Sequence, residues 1–201
     1  MHNPRIVHSI VFFIIFILVF SLYNELAITI PGNEHDSILC YGRPVLEPNL
    51  KPGDIVWRWS YIPMITHCLI YIGETEDHRY QFIEANSLED VWMPTYNHSW
   101  LQSELFPTIC RVKTNQTTVQ HALDFAKAQV GKKFAYIHEK EFDPNAEFWY
   151  CTEIVWAAFY STGIDIDVNG WHKNVIFDAP VIMPFEIYFD DDIRLLKMAY
   201  S

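Results

Sequence analysis

The segment Ile65-Thr-His-Cys-Leu-Ile-Tyr-Ile-Gly73, the polar turn Glu74 to Arg79, and the segment Tyr80-Gln-Phe-Ile-Glu-Ala-Asn86 decide the fold. Both flanking runs are short and rich in β-branched and aromatic residues, and turn chemistry separates them, so they form an antiparallel hairpin. A turn centred between residues 76 and 77 pairs 71 with 82, 69 with 84 and 67 with 86. His67, Leu69, Tyr71, Phe82, Glu84 and Asn86 then share one face, and Cys68, Ile70, Ile72, Ile83 and Ala85 share the other, which is the apolar one. His67 and Glu84 become diagonal neighbours, close enough for the carboxylate to hold one ring nitrogen while the other faces a thiol. A slip of one residue would put them on opposite faces.

Working outward, Asp54 to Trp59, Val91 to Pro94 and Thr108 to Val112 have the same character and add strands to the sheet. Thr117 or Thr118 caps a helix running to about Val130, with Gly131 as its stop. A second helix follows Tyr150, with Cys151, Ile154, Val155 and Ala158 on one face and Gly163 as its end. A last strand covers Ile193 to Ala199. The expected fold class is α+β, an antiparallel sheet with helices packed on one side.

Cys151 falls where this second helix begins, so unpaired backbone amides and the helix dipole favour its thiolate and can stabilise an oxyanion. The bland alternative is a small apolar residue on a buried helix face. Taken singly, His67 reads better as a solvated strand-end histidine and Glu84 as an ordinary exposed acid. Tyr61 and Tyr188 are weaker candidates for substrate or oxyanion contact, with a surface aromatic and core packing as their respective alternatives. Trp57, Trp59 and Tyr61 could grip an acyl chain or sugar, or pack the sheet. Asp190, Asp191 and Asp192 suggest a cation less than a solvated turn, so neither a metal nor any cofactor is expected. There is no HExxH, GxSxG or phosphate-binding glycine loop.

The chain has 201 residues, enough for one substantial core. Its 14 basic and 25 acidic residues give a formal charge of -11, which argues against a nucleic-acid partner. From Ile6 to Asn24 there is no charged side chain, a length that suits a membrane crossing. The residues after it lack a small-x-small pair, which favours an uncleaved anchor over a signal peptide, with the amino end inside. Residues 1–30 are thus a signal anchor, 31–49 a proline-rich tether and 50–201 the domain, facing outward or into a lumen; a secreted form is the alternative. Cys40, Cys68, Cys110 and Cys151 show no zinc spacing, and an exported chain could join Cys40 to Cys110. Asn97 and Asn115 head glycosylation triplets.

Taken together, Lys51-Pro-Gly-Asp-Ile-Val-Trp57, Ile65 to Gly73, Phe82-Ile-Glu-Ala85 and Tyr150-Cys-Thr-Glu-Ile-Val155 resemble the circularly permuted NlpC-type papain-like hydrolases of the YiiX-like group, over roughly residues 50 to 190. The resemblance implies Cys151 as nucleophile, His67 as base and Glu84 as its orienting acid, with the histidine preceding the cysteine as permutation requires. Cys68-Leu69 and Thr152 depart from the pattern without removing a catalytic group. The implied activity is thiol hydrolysis of an amide, with a peptide, isopeptide or N-acyl amide as substrate. Two alternatives stand beside it: lipid acyl transfer or phospholipid deacylation of the lecithin retinol acyltransferase type, and an anchored binding domain without turnover.

Overall fold

The computed structural model describes residues 50–58, 67–100, 108–136, 140–172 and 179–196. The expected anchor at 1–30, the tether at 31–49, Cys40, Trp59, Tyr61 and the end of the last strand lie outside these. No helix among the described residues is long and apolar enough to cross a membrane.

The strands are β1 (Ile55–Arg58), β2 (His67–Glu74), β3 (Tyr80–Asn86), β4 (Asp90–Trp92), β5 (Thr95–Tyr96), β6 (Thr108–Val112), β7 (Lys133–Phe134), β8 (Phe148–Trp149) and β9 (Ile193–Leu195). The helices are α1 (Gln116–Ala128), α2 (Cys151–Tyr160) and the short α3 (Pro184–Tyr188). The main sheet runs β4-β3-β2-β1-β6-β9, with β5 added against β3, and all its pairings are antiparallel. The hairpin has the expected register over its inner half, Ile70 opposite Ile83 and Tyr71 opposite Phe82, and a bulge between Tyr71 and Gly73 absorbs the odd residue before the turn. Because the bulge lies on the turn side, it leaves the His67 and Glu84 end unshifted.

Both sheet faces are buried, which corrects the expectation of a single apolar face. Ile55, Trp57, Cys68, Ile70, Ile83 and Ala85 pack against Ala122, Leu123 and Ala126 of α1 and Ile154, Val155 and Ala158 of α2. On the reverse face Val56, Leu69, Tyr71, Tyr80, Phe82 and Ile109 form a second cluster under Tyr96 and Trp100. The rings of Tyr96 and Trp100 stack at 4.1 Å, a cover that no strand alternation announces.

Asn115, not Thr117 or Thr118, caps α1, its side chain accepting the Thr118 N–H at 3.0 Å. Asparagine caps the first turn from an earlier position, so the helix starts at Gln116, two residues before a Thr117 cap would start it. Cys110 is a free and fully buried thiol with its pKa pushed up, and its expected partner Cys40 lies outside the described residues.

Two devices fix the sheet where the site is built. The Pro52-Gly53-Asp54 turn has Gly53 at φ +92°, and a Cβ there would lie 2.5 Å from Val119 Cγ1 of α1, so only glycine suits both the backbone and the contact. The buried Asp54 carboxylate takes a two-pronged bond from Arg111 on β6, Nε to Oδ1 at 2.6 Å and a terminal nitrogen to Oδ2 at 2.7 Å, and also accepts the Lys51 N–H. Each of its oxygens is thereby matched, which a buried carboxylate requires.

Candidate active site

α2 starts abruptly. Tyr150 is extended at its N-cap, φ -106° and ψ 168°, and Glu153 reaches back to accept the Tyr150 N–H at 3.4 Å and the Glu141 N–H at 3.2 Å. This pattern of an acid three residues into the helix ties down the first turn. The flanking hydroxyls fix it from the other side. Ile182 N–H donates to the Tyr150 hydroxyl at 2.9 Å, and Thr152 Oγ1 donates to the Ile182 carbonyl at 2.8 Å. Threonine here performs the bond that a serine would, so the departure noted in the sequence leaves this clamp intact.

Cys151, the first residue of α2, is partly buried, and the His67 ring lies near enough to its sulfur to lower the thiol's pKa. His67 opens β2, and its Nε2 lies 2.6 Å from Glu84 Oε2, which leaves Nδ1 for the sulfur. The His67 side chain keeps 25% of its surface exposed, whereas Glu84 is buried. Two donors hold the second carboxylate oxygen of Glu84: Trp92 Nε1 at 2.9 Å and Asn86 Nδ2 at 2.9 Å. Trp92 stands directly opposite Glu84 in the β3–β4 pairing.

The electrostatics follow from this packing. Burial opposes a charged His67, but hydrogen bonds to Cys151 and Glu84, with their charges, outweigh it and raise the ring to about 9. Burial likewise opposes a Cys151 thiolate. The His67 hydrogen bond and charge, together with the backbone N–H groups of Cys68 and Thr152 aimed at the sulfur, bring the thiol below its ordinary value. Glu84 is lowered too, its burial overcome by His67, Trp92 and Asn86. The shifts favour a thiolate–imidazolium pair backed by a carboxylate, the protonation state from which a cysteine nucleophile reacts.

Of the residues singled out in the sequence, Cys151, His67 and Glu84 meet at one place. Tyr188 is a core residue on α3, its ring packed on Trp57 at 5.6 Å and on Phe189 at 5.0 Å. Trp57 is itself fully buried, so it does not grip a ligand. Sequence reasoning missed Trp92 and the Cys68 amide as members of the site. Alternation already placed Asn86 on the Glu84 face, and the β3–β4 turn was the only signal for Trp92.

No family model matches this chain and no curated protein matches it. Among solved structures it is similar to the metalloprotein yiiX from Escherichia coli O157:H7, with 14% sequence identity, a TM-score of 0.50, and 75% of this chain and 98% of the other covered. The fold of this chain is YiiX-like.

Proposed function

We propose that this chain is a thiol hydrolase of the permuted NlpC, papain-like type, cleaving an amide bond through an acyl-enzyme on Cys151. The observation that carries the reading is the His67 ring held between the Cys151 sulfur and a carboxylate that is itself held by two further donors. A structural cysteine needs no such partner.

In the proposed reaction the Cys151 thiolate adds to the carbonyl carbon and the carbonyl electrons move to oxygen. Amides at the start of α2 stabilise that developing charge. The intermediate collapses as His67 Nδ1–H protonates the departing amine, leaving a thioester. Neutral His67 then takes a proton from water, the resulting hydroxide equivalent attacks the thioester, and the carboxylic acid leaves as the thiolate returns. Glu84 holds Nε2–H throughout, so the ring neither flips nor loses its charge partner.

The neighbour's name concerns a metal; the residues of this site do not fit one. Glu84 already receives three donors and His67 Nε2 is bonded to it, so the cluster offers no open set of ligand atoms. Among the described residues Asp190, Asp191 and Asp192 are close enough together to share an ion, but Asp190 Oδ1 already accepts the Asp192 N–H, as in an ordinary acidic turn. The apolar segment before the domain would tether this activity to a membrane, on the outer or lumenal side.

The test is the rate of Cys151 alkylation by iodoacetamide against pH, in the full chain carrying Cys40→Ser so that one accessible thiol reports. Cys68 and Cys110 are fully buried and stay silent. Wild type should react well below the pH of a free thiol, and His67→Ala should lose this. Identical titrations of the two proteins near an ordinary thiol pKa would sink the proposal.

A further inference from the structure

Asn97-His98-Ser99 and Asn115-Gln116-Thr117 are the only triplets of the glycosylation form in the chain. The strand pairings bring both to one end of the sheet. β2 runs from His67, opposite Arg58, to Glu74, opposite Tyr80. His67 therefore stands at one end of β2 and the hairpin turn at the other, about 20 Å away for a strand of eight residues. β5 joins at the turn end, with Tyr96 opposite Tyr80, and Asn97 follows it directly. His98 fixes the place, its ring stacked on Tyr80 at 4.2 Å and its Nε2 lying 3.5 Å from Glu74. β6 runs antiparallel to β1, from Thr108 opposite Trp57 to Cys110 opposite Ile55, so it leaves the sheet toward Gly53. Gly53 N–H donates to the Tyr71 carbonyl at 2.8 Å, which puts it in the turn-side half. Asn115 comes three residues after β6, and Val119 of the helix it caps packs on Gly53.

Both asparagines are exposed, as are Ser99 and Thr117. At Asn115 the orientation of the amide is set by the cap. Oδ1 accepts the Thr118 N–H at 3.0 Å and the Thr118 hydroxyl at 3.2 Å, so Nδ2, the other branch of the same amide, stays outside it. A substituent on Nδ2 leaves the carbonyl an acceptor, and the helix keeps its cap. Asn97 sits on a turn closed by its own carbonyl, which accepts the Trp100 N–H at 2.8 Å. The Tyr96 and Trp100 rings stacked on either side of that turn hold it in place.

Resting on the outer or lumenal placement of the domain and not on its chemistry, we propose that Asn97 and Asn115 both carry N-linked oligosaccharides, which cover the turn end of the sheet and leave the Cys151 end open. In each transfer Nδ2 attacks the anomeric carbon of a lipid-diphosphate-linked oligosaccharide. The bond from that carbon to the phosphate oxygen breaks, the lipid diphosphate leaves with the electron pair, and Nδ2 gives up one proton.

The experiment translates the full chain in the presence of endoplasmic-reticulum membranes and reads gel mobility before and after peptide N-glycosidase, while protease protection reports the side on which the domain lies. Wild type should be protected and should lose two mobility steps on enzyme treatment. Ser99→Ala and Thr117→Ala should each remove one step, and the double variant should show none. Both substitutions spare the asparagines, so the cap of α1 is untouched. A protected domain with fewer than two steps overturns the proposal. A domain open to protease overturns it too, together with the lumenal placement. The position of the glycans is read separately from Cys151 alkylation, which should run at the same rate before and after they are removed; a rate that rises on their removal would put them over the cleft and overturn their placement at the turn end. Mobility does not depend on Cys151, so a failure of the hydrolase reading leaves that readout standing.

Discussion

A carboxylate buried as deeply as Glu84 is tolerable only because its lone pairs are filled, by His67 on one oxygen and by Trp92 and Asn86 on the other. Its charge is what raises His67, alongside the bond to Cys151. Glu84→Gln keeps the shape and removes the charge, so the thiolate fraction of Cys151 near pH 6 should fall by roughly tenfold or more, read as the alkylation rate. Trp92→Phe removes one neutral donor of several, and its effect on the same rate should be only a few-fold. With an amide substrate, kcat/KM should decline as pH rises through about 9, because His67 then lacks the proton for the leaving amine. Alkylation should not decline there, since the thiolate persists; a parallel fall in both rates would refute the assigned acid role. His67 and Glu84 were legible because a hairpin with a readable turn sets its own register. Trp92 was not, because it reaches Glu84 only after Asp90 turns the chain in the left-handed region, φ 62°.

Elements with strong periodicity were legible: β2, β3, β6 and α2 fall where alternation and helical spacing put them. β7 and β8 are two residues each and carry no period at all, so nothing local announces the ribbon they form. It is assembled instead by Asp90, whose carboxylate accepts the Phe134 N–H at 2.9 Å and pairs with Lys133. Asp90→Asn keeps the acceptor and tolerates the positive φ, whereas Asp90→Ala loses the acceptor and strains the backbone. Amide exchange at Phe134 should therefore quicken in Asp90→Ala and stay near wild type in Asp90→Asn. For α1, Asn115→Ala should cost about 1 kcal/mol, measured by denaturant unfolding, because the Thr118 N–H loses its acceptor.

At the scale of the whole molecule, the sheet order and the bond between Asp54 and Arg111, 57 residues apart, are long-range facts that no local pattern contains. The buried titratable groups add a property of the same kind, the dependence of stability on pH. His67 is raised to about 9, so in the folded state it holds a proton between pH 6.5 and 9 that the unfolded chain releases, and its contribution fades as pH climbs through 9. Cys151 is lowered from 9, so it acts in the opposite direction, the folded thiol giving up a proton that the unfolded chain keeps. Glu153 has no such counterpart. Its burial outweighs the bonds it accepts from Glu141 and Tyr150 and raises it from 4.5 to about 8, so the folded state binds an extra proton across that span and loses stability as pH rises through it. Asp190, raised by burial to about 6, acts in the same direction lower down. The Tm should therefore fall between pH 5 and 8, by roughly 5–10 °C for a domain of this size. Glu153→Gln carries no titrating proton but supplies one fewer acceptor, so it should be less stable than wild type at pH 5, by about 1 kcal/mol, and close the gap or overtake it by pH 8. Parallel Tm curves for the two proteins would show that Glu153 is ionised in the folded state and that the first turn of α2 is held by its charge.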